Sequence, residues 1–400
     1  MSGEDGISWY IVFSRVRTIP ARVGKISRSG DDRNRMESAK RQLLFPGAGN
    51  ILLVQLGDIG DVVLTTPSLR AIRESYPGAR LSILVRRSYG SLLAADPCLD
   101  EILEVSKGKG KLSEIGVENL RLVRQLRGAR YDLVVDLRTG DRGAILSWLT
   151  GTPVRVVRRD REAPFWHDLA FTHPVDLVYA DRPVHPGGDQ SLRILRAIGV
   201  DTADARPRLH VSEADRESVR ALLSREGADR HPDLVTVNPF SRWKYKEWDH
   251  GKWADVLNRL WTEHGLPSAV IGSREEAGAA AGIVGKCSGP VFNLAGKTTL
   301  GELAALISRS RLHVGVDSAA PHIAAAVGTP TVTIFGPSNW KSWVVEDETH
   351  RVARSGRECV PCNDKGCDGT ERSICLEELG ADTVMIRIGE VLRNLGSLEG

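Results

Sequence analysis

From Asn50 onward, short apolar runs alternate with amphipathic segments. Residues 51–56, 80–86, 101–105, 131–137 and 154–157 are apolar runs of strand length. Between them, 69–75 and 117–126 carry apolar positions at helical spacing. Strands separated by helices predict a parallel sheet, because a parallel crossover needs a helix-length connection. A Pro-, Asp- and Gly-rich stretch at 181–189 and a helix-like segment at 190–198 follow, and the periodicity fades through Arg206, Pro207 and Arg208. The pattern then restarts. Strands are predicted at 234–237, 268–271, 291–294, 312–316 and 331–335, with helices at 253–261, 275–284 and 300–308. Val384, Ile388, Val391, Leu392 and Leu395 form an apolar stripe that predicts a final helix packed onto the body.

The expected class is therefore α/β, with two doubly wound, Rossmann-like domains at 47–205 and 206–400. Two such domains in series leave a cleft faced by the carboxyl ends of both sheets. Residues 1–46 lack a sustained period and carry Arg15, Arg17, Arg22, Lys25, Arg28, Arg33 and Arg35, which reads as an extension outside the fold. Its segment 7–16 mixes Trp9, Tyr10, Ile11, Val12 and Phe13 with flanking Arg. That composition suits peripheral contact with an anionic inner-membrane surface, and equally a flexible arm.

A chain of 400 residues with 41% hydrophobic and 26% charged side chains is long and apolar enough to bury two cores. No run reaches the roughly 18 apolar residues of a membrane span, so the expected location is cytoplasmic. The 54 basic and 51 acidic side chains leave a formal charge of +3 and no bulk field to gather nucleic acid. Of those basic residues 42 are Arg, which favours bidentate carboxylate and phosphate contacts, although a GC-rich genome produces the same bias.

Three motifs carry candidate chemistry. The first, Leu56-Gly57-Asp58-Ile59-Gly60-Asp61, follows the first strand. Its two glycines allow close backbone approach, but it is neither a Walker loop nor a dinucleotide fingerprint. Asp58 and Asp61 suit helix caps, and Asp61 also suits a general base at the mouth of the turn. The second runs from Asn238 to Trp248 and offers Ser241 and Lys246 at a strand's carboxyl end. Its aromatic residues alone suggest a single-strand platform, which would need a longer basic track, so no nucleic-acid partner is expected. The third places Asp317, Ser318 and His322 where a strand passes into an Ala-rich helix, an arrangement that presents backbone amides to phosphate. A lone histidine there is more often structural; this one shares its turn with Asp317 and Ser318.

Taken together and in order, Gly60-Asp61 with Pro67, Lys246-x-Trp248, Asn293 to Leu300, Asp317-Ser318 with His322, and Phe335-Gly336-Pro337 resemble the ADP-heptose:lipopolysaccharide heptosyltransferase family, glycosyltransferase family 9. The resemblance runs from about residue 50 to about 395. It implies the GT-B fold, with the acceptor on the first domain and the nucleotide sugar mainly on the second. It also implies transfer of heptose from ADP-heptose to a lipid-linked or core oligosaccharide acceptor, with inversion and no cofactor required for catalysis. By the same resemblance Asp61 matches the catalytic base, and Ser241 and Lys246 match residues that hold the donor diphosphate. Glu276, or its neighbour Glu275, matches the ribose-binding acid, and Asp317, Ser318 and His322 match the second donor motif. Ala319 departs from the family's usual Gly.

Arg86, Arg87, Arg138 and Arg142 follow the second and fourth strands and are candidates for an acidic group on the acceptor, or solvated surface charges. Four of the six cysteines, Cys359, Cys362, Cys367 and Cys375, lie in one loop, 359–375. Structural zinc, an Fe–S cluster and metal-free thiols are the three readings of that spacing. Sequence distance from Asp61 and Asp317 suggests that this loop lies away from the chemistry. The rival function class is a noncatalytic sugar-nucleotide sensor using the cysteine loop as a metal or redox switch; a transferase of another nucleotide sugar is the rival within the class.

Overall fold

A computed structural model describes residues 42–106 and 112–398. The extension, including 7–16, lies outside them except for its last residues from 42 onward.

The first half runs β1 (Asn50–Gln55), α1 (Ile59–Leu64), α2 (Thr66–Ser75), β2 (Arg80–Arg86), β3 (Glu101–Val105), α3 (Leu112–Gly128), β4 (Leu133–Asp136), α4 (Asp141–Leu149), β5 (Val154–Arg158), α5 (His167–Ala170), β6 (His173–Val175) and α6 (Pro186–Arg196). The second runs α7 (Glu213–Arg225), β7 (Val235–Asn238), α8 (His250–His264), β8 (Ser268–Val270), α9 (Ala277–Val284), β9 (Val291–Asn293), α10 (Leu300–Ser308), β10 (Leu312–Val316), α11 (Ala319–Ala326), β11 (Thr331–Ile334), β12 (His350–Ala353), α12 (Ile374–Glu378) and α13 (Ala381–Leu398).

Each half builds one six-stranded sheet in which every pairing is parallel, ordered β3-β2-β1-β4-β5-β6 and β12-β11-β10-β7-β8-β9. Counted from its own first strand, the second order is the first one reversed in direction of listing. Both are therefore the same doubly wound topology. The expected pair of Rossmann-like domains is present, and each gains an edge strand, β6 or β12, that the apolar pattern did not predict.

Alternation along the central strands explains why the sheets are covered on both faces. On β1, Ile51 and Leu53 join one apolar cluster while Leu52 and Val54 join another with Leu122 and Leu126 of α3. The first cluster continues through α1, α2 and α6 into Leu306 and Ile323 of α10 and α11, so apolar packing runs from one sheet's helices to the other's. A third cluster joins Val235 and Val314 to Trp253 of α8 and to Val384, Ile388 and Val391 of α13. That places the final helix as its stripe predicts.

Candidate active site

In each sheet the winding direction reverses between the first and fourth strands of the half, β1 beside β4 and β7 beside β10. Ligands of doubly wound sheets bind outside the carboxyl ends at such a reversal, because the loops there diverge and leave a crevice. The three motifs that carry candidate chemistry follow β1, β7 and β10, three of these four strands.

On the first sheet, the β1–α1 turn fixes Asp61. Its Oδ2 accepts the Asp58 amide at 2.8 Å, and its carbonyl accepts the Thr65 hydroxyl at 2.8 Å. A Cβ on Gly57 would sit 2.4 Å from Asp61 Oδ2, so only glycine lets the carboxylate fold back over the turn. Asp61 is thus both a cap and a cleft-facing acid, because Oδ1 remains for the cleft, where Arg138 Nη1 lies at 3.1 Å. Asp58 receives two guanidiniums. Arg242 of the second sheet's β7–α8 loop approaches Oδ1 and Oδ2 at 2.7 and 2.8 Å, and Arg86 approaches Oδ1 at 3.2 Å. Burial works to raise the Asp58 pKa, but Arg242, Arg86 and Arg138 outweigh it and hold the carboxyl below the usual carboxylate range.

On the second sheet, Lys246 Nζ lies 2.7 Å from Asp317 Oδ2, with Asp317 buried. Asn238 donates from Nδ2 to Ser318 Oγ at 2.8 Å, tying β7 to the start of α11. The Ser241 hydroxyl donates to the Asp317 carbonyl at 3.3 Å. Among the described residues no side chain caps α11, so the amides of its first turn are open to an anion. Ala319 has no positive φ, and its methyl group therefore introduces no strain where the family usually has Gly. The ring of His322 bridges the two sides: a Cβ on Gly60 would meet its Cδ2 at 3.3 Å. Burial lowers the His322 pKa, against the pull of Asp317 and Asp61.

The predicted residues Asp61, Arg86, Arg138, Ser241, Lys246, Asp317, Ser318 and His322 thus share one cleft. Glu276 Oε2 accepts the Ser273 amide at 2.6 Å at the end of β8, beside Phe240, whereas Glu275 is exposed. Arg142 is directed elsewhere, to the Ser106 carbonyl. The Arg87 amide pairs with the Val105 carbonyl and its side chain is exposed. Sequence reasoning missed Arg242. Its signal was its place in the Asn238 to Trp248 motif, but nothing in the sequence named Asp58 as its partner.

The cysteine loop requires one correction, to its place relative to the cleft. Among the described residues no three His, Cys, Asp or Glu side chains converge as metal ligands, so the geometry gives no support to the zinc or Fe–S reading of Cys359, Cys362, Cys367 and Cys375. All four are free thiols, Cys375 buried and Cys359 and Cys362 exposed. Burial lifts Cys375 to about 11, opposed by the Leu376 amide and reinforced by the other three cysteines. The loop is not remote from the cleft. Ser373 donates to the Tyr245 carbonyl at 2.6 Å, and Trp248 Nε1 donates to the Leu379 carbonyl at 3.0 Å, so this segment braces the turn that carries Lys246.

Comparison with known proteins agrees with this geometry. The solved structure of a family 9 glycosyl transferase from Veillonella parvula covers 89% of this chain and all of its own, at 21% identity and a TM-score of 0.73. That of Escherichia coli ADP-heptose lps heptosyltransferase II covers 86% of this chain and 99% of its own, at 21% identity and a TM-score of 0.68. These likenesses establish the GT-B fold. A curated Escherichia coli relative, lipopolysaccharide heptosyltransferase 3, is 30% identical over 296 residues, 71% of this chain and 83% of its own. The model of glycosyltransferase family 9 (heptosyltransferase) matches residues 119–371. The chain therefore belongs to glycosyltransferase family 9, and it is a glycosyltransferase.

Proposed function

We propose that the chain transfers heptose from ADP-heptose to an acceptor of the lipopolysaccharide core, with inversion at the anomeric carbon and no metal ion. The observation that carries this reading is the opposition of two unlike sites across one cleft. A fixed carboxylate, Asp61, stands on the first sheet, and a lysine, open helix amides and a buried acid stand on the second.

In this reading the acceptor hydroxyl oxygen attacks the anomeric carbon as Asp61 Oδ1 takes its proton. The bond from that carbon to the diphosphate breaks, and ADP leaves with the electron pair. Attack from the side of Asp61, opposite the leaving group held on the second sheet, gives inversion. Lys246, Ser241 and the first-turn amides of α11 meet the charge that develops on the diphosphate, and Glu276 holds the ribose. The names of the relatives support heptose and the lipopolysaccharide core.

The test is Asp61→Asn. It keeps the size of the side chain and removes the base, so turnover falls by about 100-fold or more while ADP affinity changes little. Near wild-type turnover would overturn the assignment of Asp61. Mass spectrometry of products from a panel of nucleotide sugars identifies the sugar, and activity unchanged by EDTA supports the metal-free step.

A further inference from the structure

The free oxygen of Asp61 is covered. Its turn uses Oδ2 and the carbonyl, so the carboxylate is held in one orientation, and Oδ1 faces the Arg138 guanidinium at 3.1 Å. That guanidinium crowds the approach of a hydroxyl that is to give Asp61 its proton. Arg138 is built to move aside. Its backbone amide is pinned to Asp136 Oδ1 at 2.8 Å, and Asp136 is fully buried, whereas half of the Arg138 side chain is exposed. The root is fixed and the head is free to swing. The other nearby acid, Asp58, is already engaged by Arg86 and Arg242, so within this cluster the displaced guanidinium has no second carboxylate of its own.

We propose that Arg138 makes transfer conditional on an acidic acceptor: without one it covers the Asp61 oxygen, and a carboxylate or phosphate on the acceptor draws it aside as the attacking hydroxyl enters. The competing reaction that this suppresses is hydrolysis. In hydrolysis a water oxygen bonds to the anomeric carbon, its proton passes to Asp61, and the bond to the diphosphate breaks to release ADP. A water reaching the donor alone carries no acid to move Arg138. An exposed ion pair is weak enough to yield to a bidentate acid delivered by a bound ligand.

The inference rests on Asp61 as the base, and the experiment separates the two. ADP release from ADP-heptose is measured for the wild-type chain, Arg138→Ala, Arg138→Gln and Asp61→Asn, first with no acceptor. It is then measured with a deacylated lipopolysaccharide core oligosaccharide, and with the same oligosaccharide after dephosphorylation and carboxyl reduction. The expected result is about fivefold faster hydrolysis in both Arg138 variants, the scale of one exposed ion pair. The wild-type preference for the acidic acceptor, about tenfold or more, shrinks to about twofold in those variants. Hydrolysis that stays level or falls in the Arg138 variants overturns the gate, and so does an unchanged acceptor preference. Absence of transfer by the wild-type chain, or full transfer by Asp61→Asn, overturns the reading of the site and the gate with it. A role for Arg138 confined to folding would lower hydrolysis and transfer together.

Discussion

The two sheets share one strand order, yet their carboxyl ends are built differently. At the first, Arg138 and Asp58 are 51% and 47% exposed, and Arg86 and Asp61 are 27% and 21% exposed. At the second, Lys246 and Asp317 are 22% and 10% exposed and pair within a frame of Asn238, Ser241 and Ser318. The proposed donor side is framed around a largely buried pair, whereas the proposed acceptor side carries more exposed pairs that a ligand can rearrange. An enzyme that holds its leaving group rigidly and admits varied acceptors at an adaptable rim would be divided in this way.

After the loss expected for Asp61→Asn, the largest effect falls on the rigid side. Lys246→Ala removes a charge-assisted contact to the diphosphate, so ADP affinity drops roughly 10- to 100-fold, and turnover falls with it. It also leaves Asp317 buried without its partner, so the melting temperature drops as well. Calorimetry showing unchanged ADP affinity would remove Lys246 from the donor site.

Next in size is a difference in pH response beneath the two rims. His313 on β10 is fully buried, with Nδ1 3.1 Å from the Thr236 hydroxyl, and burial takes its pKa down to about 3. Asp136 on β4 is equally buried, and burial raises its pKa well above the ordinary value against its contacts with Arg138. The signs are opposite. Below about pH 6.5 the unfolded chain protonates His313 and the native one does not, so stability falls as pH drops towards 3, by about 1.4 kcal/mol per pH unit. For Asp136 the native chain keeps the proton longer, so its contribution is present in acid and is lost as pH rises. Urea unfolding at pH 7, 6 and 5 should therefore show a flatter acid limb for His313→Asn by about one proton. An unchanged slope would mean that His313 is protonated in the folded chain.

Much of this architecture was legible from local pattern. The strands at 80–86 and 312–316 coincide with β2 and β10 because buried parallel strands are largely apolar runs, and 101–105 coincides with the edge strand β3, whose Ile102, Leu103 and Val105 mark it. The edge strands β6 and β12 were not, since His173-Pro174-Val175 and His350-Arg351-Val352-Ala353 are short and mix polar with apolar residues. The site divides along the same line. Asp61, Lys246 and Asp317 were singled out because each lies in the segment that follows a strand, β1, β7 or β10, and because those segments resemble the family's motifs. The pairing of Asp58 with Arg242 spans 184 residues, and the bracing of Tyr245 by Ser373 spans 128. Such contacts are set by how the two halves meet, which no local period encodes.

The smallest expected effect belongs to the Asp58–Arg242 pair, and it bears most directly on the contrast between the rims. The geometry is bidentate, yet both side chains are about half exposed, so water competes for each partner and salt screens their attraction. The apolar packing of α10 and α11 against the first half already joins the two sides without this bridge. A double-mutant cycle of Asp58→Asn and Arg242→Gln, read by urea unfolding, should therefore give a coupling of about 0.2–1 kcal/mol that fades at high salt. A coupling of about 3 kcal/mol or more, insensitive to salt, would behave as a buried pair does. The first rim would then be as rigid as the second, and the adaptable half of the cleft would have to be sought elsewhere.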